Sequence, residues 1–562
     1  MKASNISPRR FGWIASLVLL AALVASGSAP SEAQAQKPTI ALEQTAQAQS
    51  STNNPQNQVG SAPDQQSADK KVQPPEPQKE TRISPQEAEE LFRSVDEIIT
   101  FSSQDTGLPV FHPVKRQLIG RDELTAYLEK HMEEDKDSQR LKRSELVLKK
   151  FGLLPRSFDL HAFLLALLRE QVAGYYDVET QTVNLLDWVD AEQQKPVLAH
   201  ELTHALQDQS FHLENWMKVG QTDLGLSEAN PTPEDIERDE AQSVRQAVVE
   251  GQAMAVLVDY MLAPTGQSLT TSPQIVEALK AGMLVGTADS VHFQNAPIFL
   301  KEVLTFPYRY GLDFVTDVLN RRGKQKAFAG ILANPPHTTR EIMEPNTYLA
   351  GERIQTLPVP DFAQLMKDYQ KFDVGSMGEF DVALLLDEYT GADTSKALYP
   401  DWRGGYYYAA KPKGDPAAPL AIVYVSQWAS SESAQKFAGI YADSLKKRYR
   451  SVHAVPRNGD RDQPAGLTEV MHDGGEWLTE EGDVVIDAEG RTVFITESVD
   501  DLTSGKLRNR VFDRSQAAYL PKGLEHSQVA PLYSSVLSAV NAFLLLAPPS
   551  PMARNDRPSP SR

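Results

Sequence analysis

The chain of 562 residues contains no cysteine. Disulfide bridges, cysteine nucleophiles, thiolate metal ligands and lipid attachment through cysteine are therefore all excluded. Any metal ion that the chain binds must be held by histidine and carboxylate side chains. This absence narrows the possible chemistry before any motif is considered.

Basic residues are also scarce relative to acidic ones. The chain has 56 Lys and Arg against 75 Asp and Glu, which gives a formal net charge of −19. A nucleic-acid partner requires clustered Lys and Arg that neutralise its phosphates. The acidic excess therefore predicts that the protein binds no nucleic acid.

Long apolar runs are few, and the first one is short. Arg9 and Arg10 precede an apolar run from about Trp13 to Val24, and small residues follow as far as Ala35. Since a membrane span needs about 18 apolar residues, this pattern is typical of a signal peptide cleaved after Ala35. We expect an exported bacterial protein, periplasmic or extracellular, with no stable membrane span after cleavage. The alternative is an uncleaved N-terminal segment that tethers the chain to the membrane.

Changes in composition divide the rest of the chain into predicted linker, domain and tail segments. After the predicted signal peptide at 1–35, residues 36–83 are rich in Gln, Ser and Pro, which is typical of a disordered linker. Ser84 and Glu87 then form a capping box that predicts the first helix. We predict a first folded domain over 84–355, a C-terminal α+β domain of unknown role over 356–546, and a disordered tail over 547–562.

The stretch AHELTHALQDQ holds two histidines four residues apart, with a glutamate directly after the first. In a helix, His200 and His204 lie on one face and can bind a common ion. Glu201 would lie beside that ion, where its carboxylate can take a proton from water. We predict that this helix starts near Pro196, and that a hairpin over residues 172–186 precedes it.

A catalytic zinc site has three protein ligands, so a third must come from elsewhere. The longer HExxHxxGxxH pattern is absent, because Gln207 and Ser210 stand where it needs Gly and His. Glu250 is the best candidate, since a carboxylate in a nearly all-apolar helix is costly unless it is paired or bound to a cation. Gly251 beside it would let a neighbouring element approach closely. The alternative is that Glu250 faces solvent.

Other acids and histidines are weaker candidates for the third ligand. Asp239 and Glu240 lie in a polar run that is typical of a solvated surface. His212 has aromatic and Leu neighbours that favour packing. We therefore predict a metal group of His200, His204 and Glu250.

These residues resemble the zincin metallopeptidases, in particular the gluzincin pattern of two histidines from HExxH and a downstream glutamate. The phrases AHELTHALQDQ, VVEGQA, FPYRYG and PPHTTREI are similar to those of uncharacterised exported bacterial HExxH proteins. The resemblance covers about residues 170–350. It implies an α+β fold with a zincin-like, mainly helical catalytic domain, which carries a small β-sheet and precedes the smaller α+β domain.

The resemblance also implies an activity. One Zn²⁺ ion per chain would be held by His200, His204 and Glu250, and Glu201 would act as the catalytic general base in peptide-bond hydrolysis. The substrate would be a peptide or protein, bound as an extended strand against the hairpin. The alternative function is a non-catalytic zincin-fold scaffold or peptide-binding protein of the cell envelope. The sequence predicts no oligomeric state.

The chain departs from the pattern at one position, and the remaining contacts stay open. Thermolysin-like relatives place an Asp four residues after the Glu ligand to orient a histidine, whereas Met254 stands here. Tyr176 and His337 are candidates for transition-state or substrate contacts. Tyr308 and Arg340 are further candidates for stabilising the oxyanion.

Overall fold

The computed structural model describes residues 82–124, 135–170, 174–218, 223–224, 230–278, 291–354, 357–455, 474–513 and 532–533. The predicted signal peptide, all but the last residues of the predicted linker, and the predicted tail lie outside the described residues. The three assignments therefore stay predictions.

The fold is mixed α+β, as the sequence predicts. The principal helices are α1 Pro85–Thr106, α2 Asp135–Phe151, α3 Leu160–Glu170, α4 Ala191–Phe211, α5 Leu213–Lys218, α6 Pro233–Asp239, α7 Ala241–Leu262, α8 Val291–Gln294, α9 Ile298–Arg322, α10 Ile331–Ala333, α11 Thr339–Met343, α12 Pro345–Ala350, α13 Phe362–Leu365, α14 Glu379–Thr390, α15 Ala392–Lys396, α16 Ser431–Arg448 and α17 Asp501–Phe512. A π-helical turn, Lys326–Gly330, lies between α9 and α10.

The described strands form three sheets. They are β1 Lys115–Ile119, β2 Tyr175–Asp177, β3 Thr182–Leu186, β4 Asp223–Leu224, β5 Tyr369–Ser376, β6 Trp402–Pro412, β7 Ala421–Trp428, β8 Val452–Ala454, β9 Gly475–Thr479, β10 Gly482–Glu489, β11 Thr492–Glu497 and β12 Leu532–Tyr533. A three-stranded sheet has the order β1-β3-β2, a seven-stranded sheet has the order β5-β6-β7-β11-β10-β9-β8, and β4 pairs with β12.

Of the two helix starts that the sequence predicts, the structure confirms one and contradicts the other. The α1 start is confirmed, because the Ser84 hydroxyl accepts the Glu87 N–H and the Glu87 carboxylate accepts the Ser84 N–H. The predicted α4 start at Pro196 is wrong. The helix begins at Ala191, because the Asp190 carboxylate accepts two N–H groups of the first turn and caps it there.

The predicted hairpin is confirmed by the antiparallel pair β2 and β3, in which Tyr176 lies opposite Val183. The side chain of Gln194 on α4 joins the helix to this sheet. Its Oε1 accepts the Leu186 N–H at 3.0 Å, and its Nε2 donates to the Leu186 carbonyl at 3.0 Å. These bonds fix where α4 lies against the end of β3.

Helices α7 and α9 touch through their backbones. A Cβ atom built on Gly251 would lie 2.3 Å from the carbonyl of Gly311, and one built on Gly311 would lie 2.1 Å from the Ala247 oxygen. Only glycine at both positions permits this contact. The predicted close approach at Gly251 is therefore confirmed, and it brings Tyr308, one turn before Gly311, towards α7.

Buried side chains on both sides of residue 355 belong to one core cluster. The rings of Phe306 and Phe380 lie 4.1 Å apart between centroids, and Arg340 donates to Glu379 at 2.7 Å. The domain boundary between residues 355 and 356 stays a prediction.

Among the described residues, one segment, Pro233–Thr265, is apolar and long enough to cross a membrane, and 72% of its most apolar stretch of 18 residues is buried inside the protein. This segment contains α7, whose apolar side chains already pack against other helices. It is therefore also the core helix that carries Glu250.

A stability prediction arises at Glu240, which is buried where α7 begins and accepts the Thr339 N–H at 2.7 Å. Burial raises the pKa of Glu240 from its usual value of 4.5 to about 8. The folded state therefore binds more protons than the unfolded state between these values, and stability falls as pH rises from about 4.5 to 8. We expect Glu240→Gln to raise the melting temperature more at pH 8 than at pH 5.

Thermal unfolding of both proteins at the two pH values measures this effect. Glu237→Gln is the matched control, because Glu237 is exposed on the preceding helix and loses the same charge. An equal change in melting temperature at both pH values for Glu240→Gln would contradict the prediction.

Candidate metal centre

Three side chains from two helices converge in the core. His200 Nε2 lies 3.1 Å from Glu250 Oε2 and 3.1 Å from His204 Nε2, and His204 Nε2 lies 3.5 Å from Glu250 Oε2. The histidines come from α4 and the glutamate from α7. His200, His204 and Glu250 are all buried and form a group that could hold a metal ion. We call them the metal group.

The spacing of the metal group can be compared with that of a bound ion. A tetrahedral zinc ion with bonds of about 2.0–2.1 Å holds neighbouring ligand atoms about 3.3 Å apart. The three observed separations, 3.1, 3.1 and 3.5 Å, lie around this value. Two imidazoles and one carboxylate are also a ligand set that catalytic zinc accepts. The residues therefore fit such an ion.

Charges within the metal group perturb its pKa values. Burial lowers the pKa of His204, but the adjacent Glu250 carboxylate outweighs it and raises that pKa to about 9. Burial raises the pKa of Glu250, but the charge on His204 and the His200 hydrogen bond bring it down to about 2. Burial lowers the pKa of His200 to about 4. A metal ion and a proton therefore compete for His204 Nε2.

Glu201 lies beside the metal group and is 1% exposed. Its Oε2 accepts the backbone N–H of Tyr176 at 2.8 Å, so strand β2 holds one carboxylate oxygen in place. Its Oε1 is buried and has no hydrogen-bond partner among the described residues. Burial raises the pKa of Glu201 to about 8. One oxygen is thus fixed, and the other remains available to accept a proton.

The second nitrogens of the two histidines differ. His204 Nδ1 lies 2.9 Å from the amide oxygen of Gln207. His200 Nδ1 has no hydrogen-bond partner within the described part of the chain. Met254, which stands where the thermolysin-like pattern has an Asp, is a buried apolar side chain. Sequence reasoning missed Gln207, although its position one turn after His204 was the available signal.

The two tyrosine candidates have different surroundings. The hydroxyl of Tyr176 donates to Asp208 at 3.1 Å, and its backbone N–H is used by Glu201. The buried ring of Tyr308 stacks on His200 with centroids 6.4 Å apart and an interplanar angle of 27°. Burial and the charges of Glu250 and Glu201 raise the pKa of Tyr308 well above its usual value. Tyr308 therefore lies at the metal group, whereas the hydroxyl of Tyr176 is bound to Asp208.

The contacts of His337 and Arg340 lie away from the metal group. His337 lines a cavity with Glu240 and Trp402. Arg340 forms ion pairs with Glu344 and Glu379 at 2.9 and 2.7 Å. These contacts give no support to a catalytic role, so the role of each residue stays a prediction.

The weaker ligand candidates also have other partners. Asp239 accepts the Ser376 N–H at 2.8 Å, and Glu240 accepts the Thr339 N–H. His212 ends helix α4 in the left-handed conformation with φ 52°. Within the described residues, none of the three belongs to the metal group.

The metal group and Glu201 are enclosed. His200, Glu201, His204 and Glu250 are each at most 1% exposed. A polypeptide substrate would therefore reach them only if part of the surrounding chain moved.

Part of the chain matches a known protein family. A family model described as a domain of unknown function (DUF8575) matches residues 367–505. No curated protein matches the chain, and no solved structure does. The matched segment contains neither the metal group nor Glu201. The chain is thus similar to a family of unknown function from β5 into α17.

Proposed function

We propose that the protein is an exported, zinc-dependent metallopeptidase with a zincin-like fold and a gluzincin ligand set. One observation carries the proposal. The buried His200, His204 and Glu250 have ligand atoms at zinc-like separations, and Glu201 lies beside them with one unpartnered carboxylate oxygen. Two imidazoles, a ligand carboxylate and an adjacent base are the parts that zinc-dependent hydrolysis requires.

His200, His204 and Glu250 would hold the zinc ion in this proposal. Bound zinc polarises a carbonyl group and lowers the pKa of a water molecule to about 7. Glu201 Oε1 accepts the proton of the attacking water and delivers it to the leaving amine. Its Oε2 is held by the Tyr176 N–H, so the accepting oxygen keeps its direction. Burial raises the pKa of this carboxyl towards the value that suits a general base near neutral pH.

Tyr308 is the residue that we assign to the developing negative charge. Its ring stacks on His200, and its raised pKa keeps the hydroxyl protonated at neutral pH. A protonated hydroxyl on a ring that stacks on His200 can donate to the oxygen of a tetrahedral intermediate.

Strand β2 supports the proposed mode of peptide binding. It pairs with β3 and forms the outer strand of the three-stranded sheet described here. An extended peptide can add to such an edge through main-chain hydrogen bonds. Because Glu201 already uses the Tyr176 N–H, a substrate strand would bond to the other backbone groups that face outward along this edge.

A second function is favoured by the enclosure of the metal group. A non-catalytic scaffold or peptide-binding protein of the cell envelope needs no open cleft, and the four central side chains are each at most 1% exposed. However, a buried carboxylate oxygen without a partner costs about 1–3 kcal/mol. Glu201 Oε1 is such an oxygen. A general base needs an oxygen that is free to accept a proton, whereas a scaffold gains nothing that would offset this cost.

Metal removal and restoration tests the proposal. We expect the zinc-loaded protein to cleave an unstructured peptide mixture, to lose this activity when a chelator removes zinc, and to recover it when zinc is restored. Mg²⁺ should not restore the activity, because it prefers six oxygen ligands. The amount of cleavage is measured from the amino groups that hydrolysis releases. A zinc-loaded protein without any cleavage would favour the scaffold.

A further inference from the structure

Two buried glutamines connect the two helices that carry the metal group. Gln207 on α4 and Gln252 on α7 are both fully buried. Gln207 Nε2 donates to Gln252 Oε1 at 2.8 Å. The oxygen of Gln207 lies 2.9 Å from Nδ1 of the ligand His204. The proposed reaction uses neither amide, although both lie within the motifs AHELTHALQDQ and VVEGQA.

Backbone carbonyls decide which way the Gln252 amide points. Its Nε2 lies 2.8 Å from the Ala327 oxygen and 3.1 Å from the Phe328 oxygen. Carbonyl oxygens only accept hydrogen bonds, so the amide nitrogen must face them. The oxygen of Gln252 must then face Gln207. Both carbonyls belong to the π-helical turn after α9.

Gln207 is oriented in the same way by two acceptors. Its Nε2 donates to the Gln252 oxygen and also to the Val249 carbonyl at 3.1 Å. The amide oxygen of Gln207 therefore faces His204, and it can only accept a hydrogen bond. His204 must carry a hydrogen on Nδ1. When the ring is neutral, its lone pair is then on Nε2, the atom that belongs to the metal group.

We propose that Gln207 and Gln252 act as a glutamine relay that sets the tautomer and the ring direction of His204 for metal binding. This inference rests on the proposed zinc site, and both glutamines are positioning residues. The fixed carbonyls of the π-helical turn orient Gln252, Gln252 orients Gln207, and Gln207 orients His204. Second partners of ligand histidines act in this way, since they fix the tautomer and raise the basicity of the ligand.

The relay also positions Glu250. Val249 directly precedes it on α7, and the Gln207 amide binds the Val249 carbonyl. One side chain of α4 therefore holds both a ligand of its own helix and the backbone beside the ligand of α7. By contrast, His200 Nδ1 has no hydrogen-bond partner in the described ranges. The relay thus serves one histidine of the pair.

The first test measures zinc affinity by competition with a chromogenic chelator. We expect Gln207→Met to weaken zinc binding by about 10- to 100-fold. Gln252→Met should weaken it less, because the Val249 carbonyl still orients Gln207. Gln246→Met is the matched control, since Gln246 is buried on α7 and its amide has no partner among the described residues. Wild-type affinity in Gln207→Met would overturn the relay.

The second test observes the tautomer directly. In ¹⁵N-histidine NMR spectra of the zinc-loaded protein, we expect a protected Nδ1–H signal from His204 that exchanges rapidly in Gln207→Met. Gln207→Glu keeps an acceptor for this hydrogen and should restore the signal, but not the wild-type affinity, because it loses the amide N–H bonds to Gln252 and Val249. A merely structural role would change thermal stability without this pattern. An unprotected Nδ1–H in the wild type would overturn the relay.

The two proposals fail in different ways. Tight zinc binding without any peptide hydrolysis overturns the peptidase and leaves the relay intact. Equal zinc affinities of wild type and Gln207→Met overturn the relay, whatever the hydrolysis shows. A wild-type protein that takes up no zinc overturns the relay together with the metal site.

Discussion

Glu201→Gln is expected to abolish peptide hydrolysis and to leave zinc bound. The amide cannot accept the proton of the attacking water, and loss of a general base costs about 10²- to 10⁴-fold in rate. The change leaves the proposed ligands His200, His204 and Glu250 untouched. Cleavage rate and bound zinc, measured on the same preparation, give the two readouts.

The variant should fold, because glutamine has nearly the shape of glutamate and its oxygen can accept the Tyr176 N–H. Burial already raises the pKa of Glu201, so the site favours a neutral side chain. Glu192→Gln is the matched control, since Glu192 is exposed on the first turn of the same helix and loses the same charge. Cleavage by Glu201→Gln at the wild-type rate would remove Glu201 from the mechanism.

Glu250→Ala is expected to lose zinc. Two histidines remain, and the third ligand is gone, so affinity should fall by more than about 100-fold, beyond the usual cost of losing only a hydrogen-bond partner of a ligand. The pKa of His204 should also fall from about 9, because the carboxylate that raises it has been removed. Chelator competition measures the first effect, and the NMR titration of His204 measures the second.

Gln246→Ala is the matched control for this variant. It removes a buried polar side chain from the same helix, one turn earlier, where the amide has no partner among the described residues. Alanine favours the helix at both positions. Undiminished zinc in Glu250→Ala would take Glu250 out of the ligand set.

Local pattern was enough to predict much of the centre. The spacing of His200 and His204 fixes their common face once a helix is assumed. Glu250 could be found because an acid in an apolar helix is costly to bury alone. The hairpin followed from two β-rich runs around a polar turn, and the structure has it as β2 and β3.

Long-range geometry explains what the sequence left open. The contact between Gln207 and Gln252 depends on the relative rotation of α4 and α7 and on a turn more than seventy residues further along the chain. The hydrophobic periodicity of the sequence carries no information about how two helices are rotated relative to each other. Pro196 misplaced the start of α4, because the capping Asp190 decides it. His337 was named as a candidate for a transition-state or substrate contact, but its neighbours along the sequence carry no information about its distance from the metal group.

The glycine contact limits how the enclosed centre could open. The backbones of α7 and α9 are in direct contact at Gly251 and Gly311, so we expect Glu250 and Tyr308 to move together when the centre opens. A bound ion would join α4 to α7 through His200 and His204. Strand β2 takes part in neither of these contacts, and hydrogen bonds from Tyr176 to Glu201 and Asp208 join it to α4. We therefore expect a polypeptide substrate to enter on the side of β2.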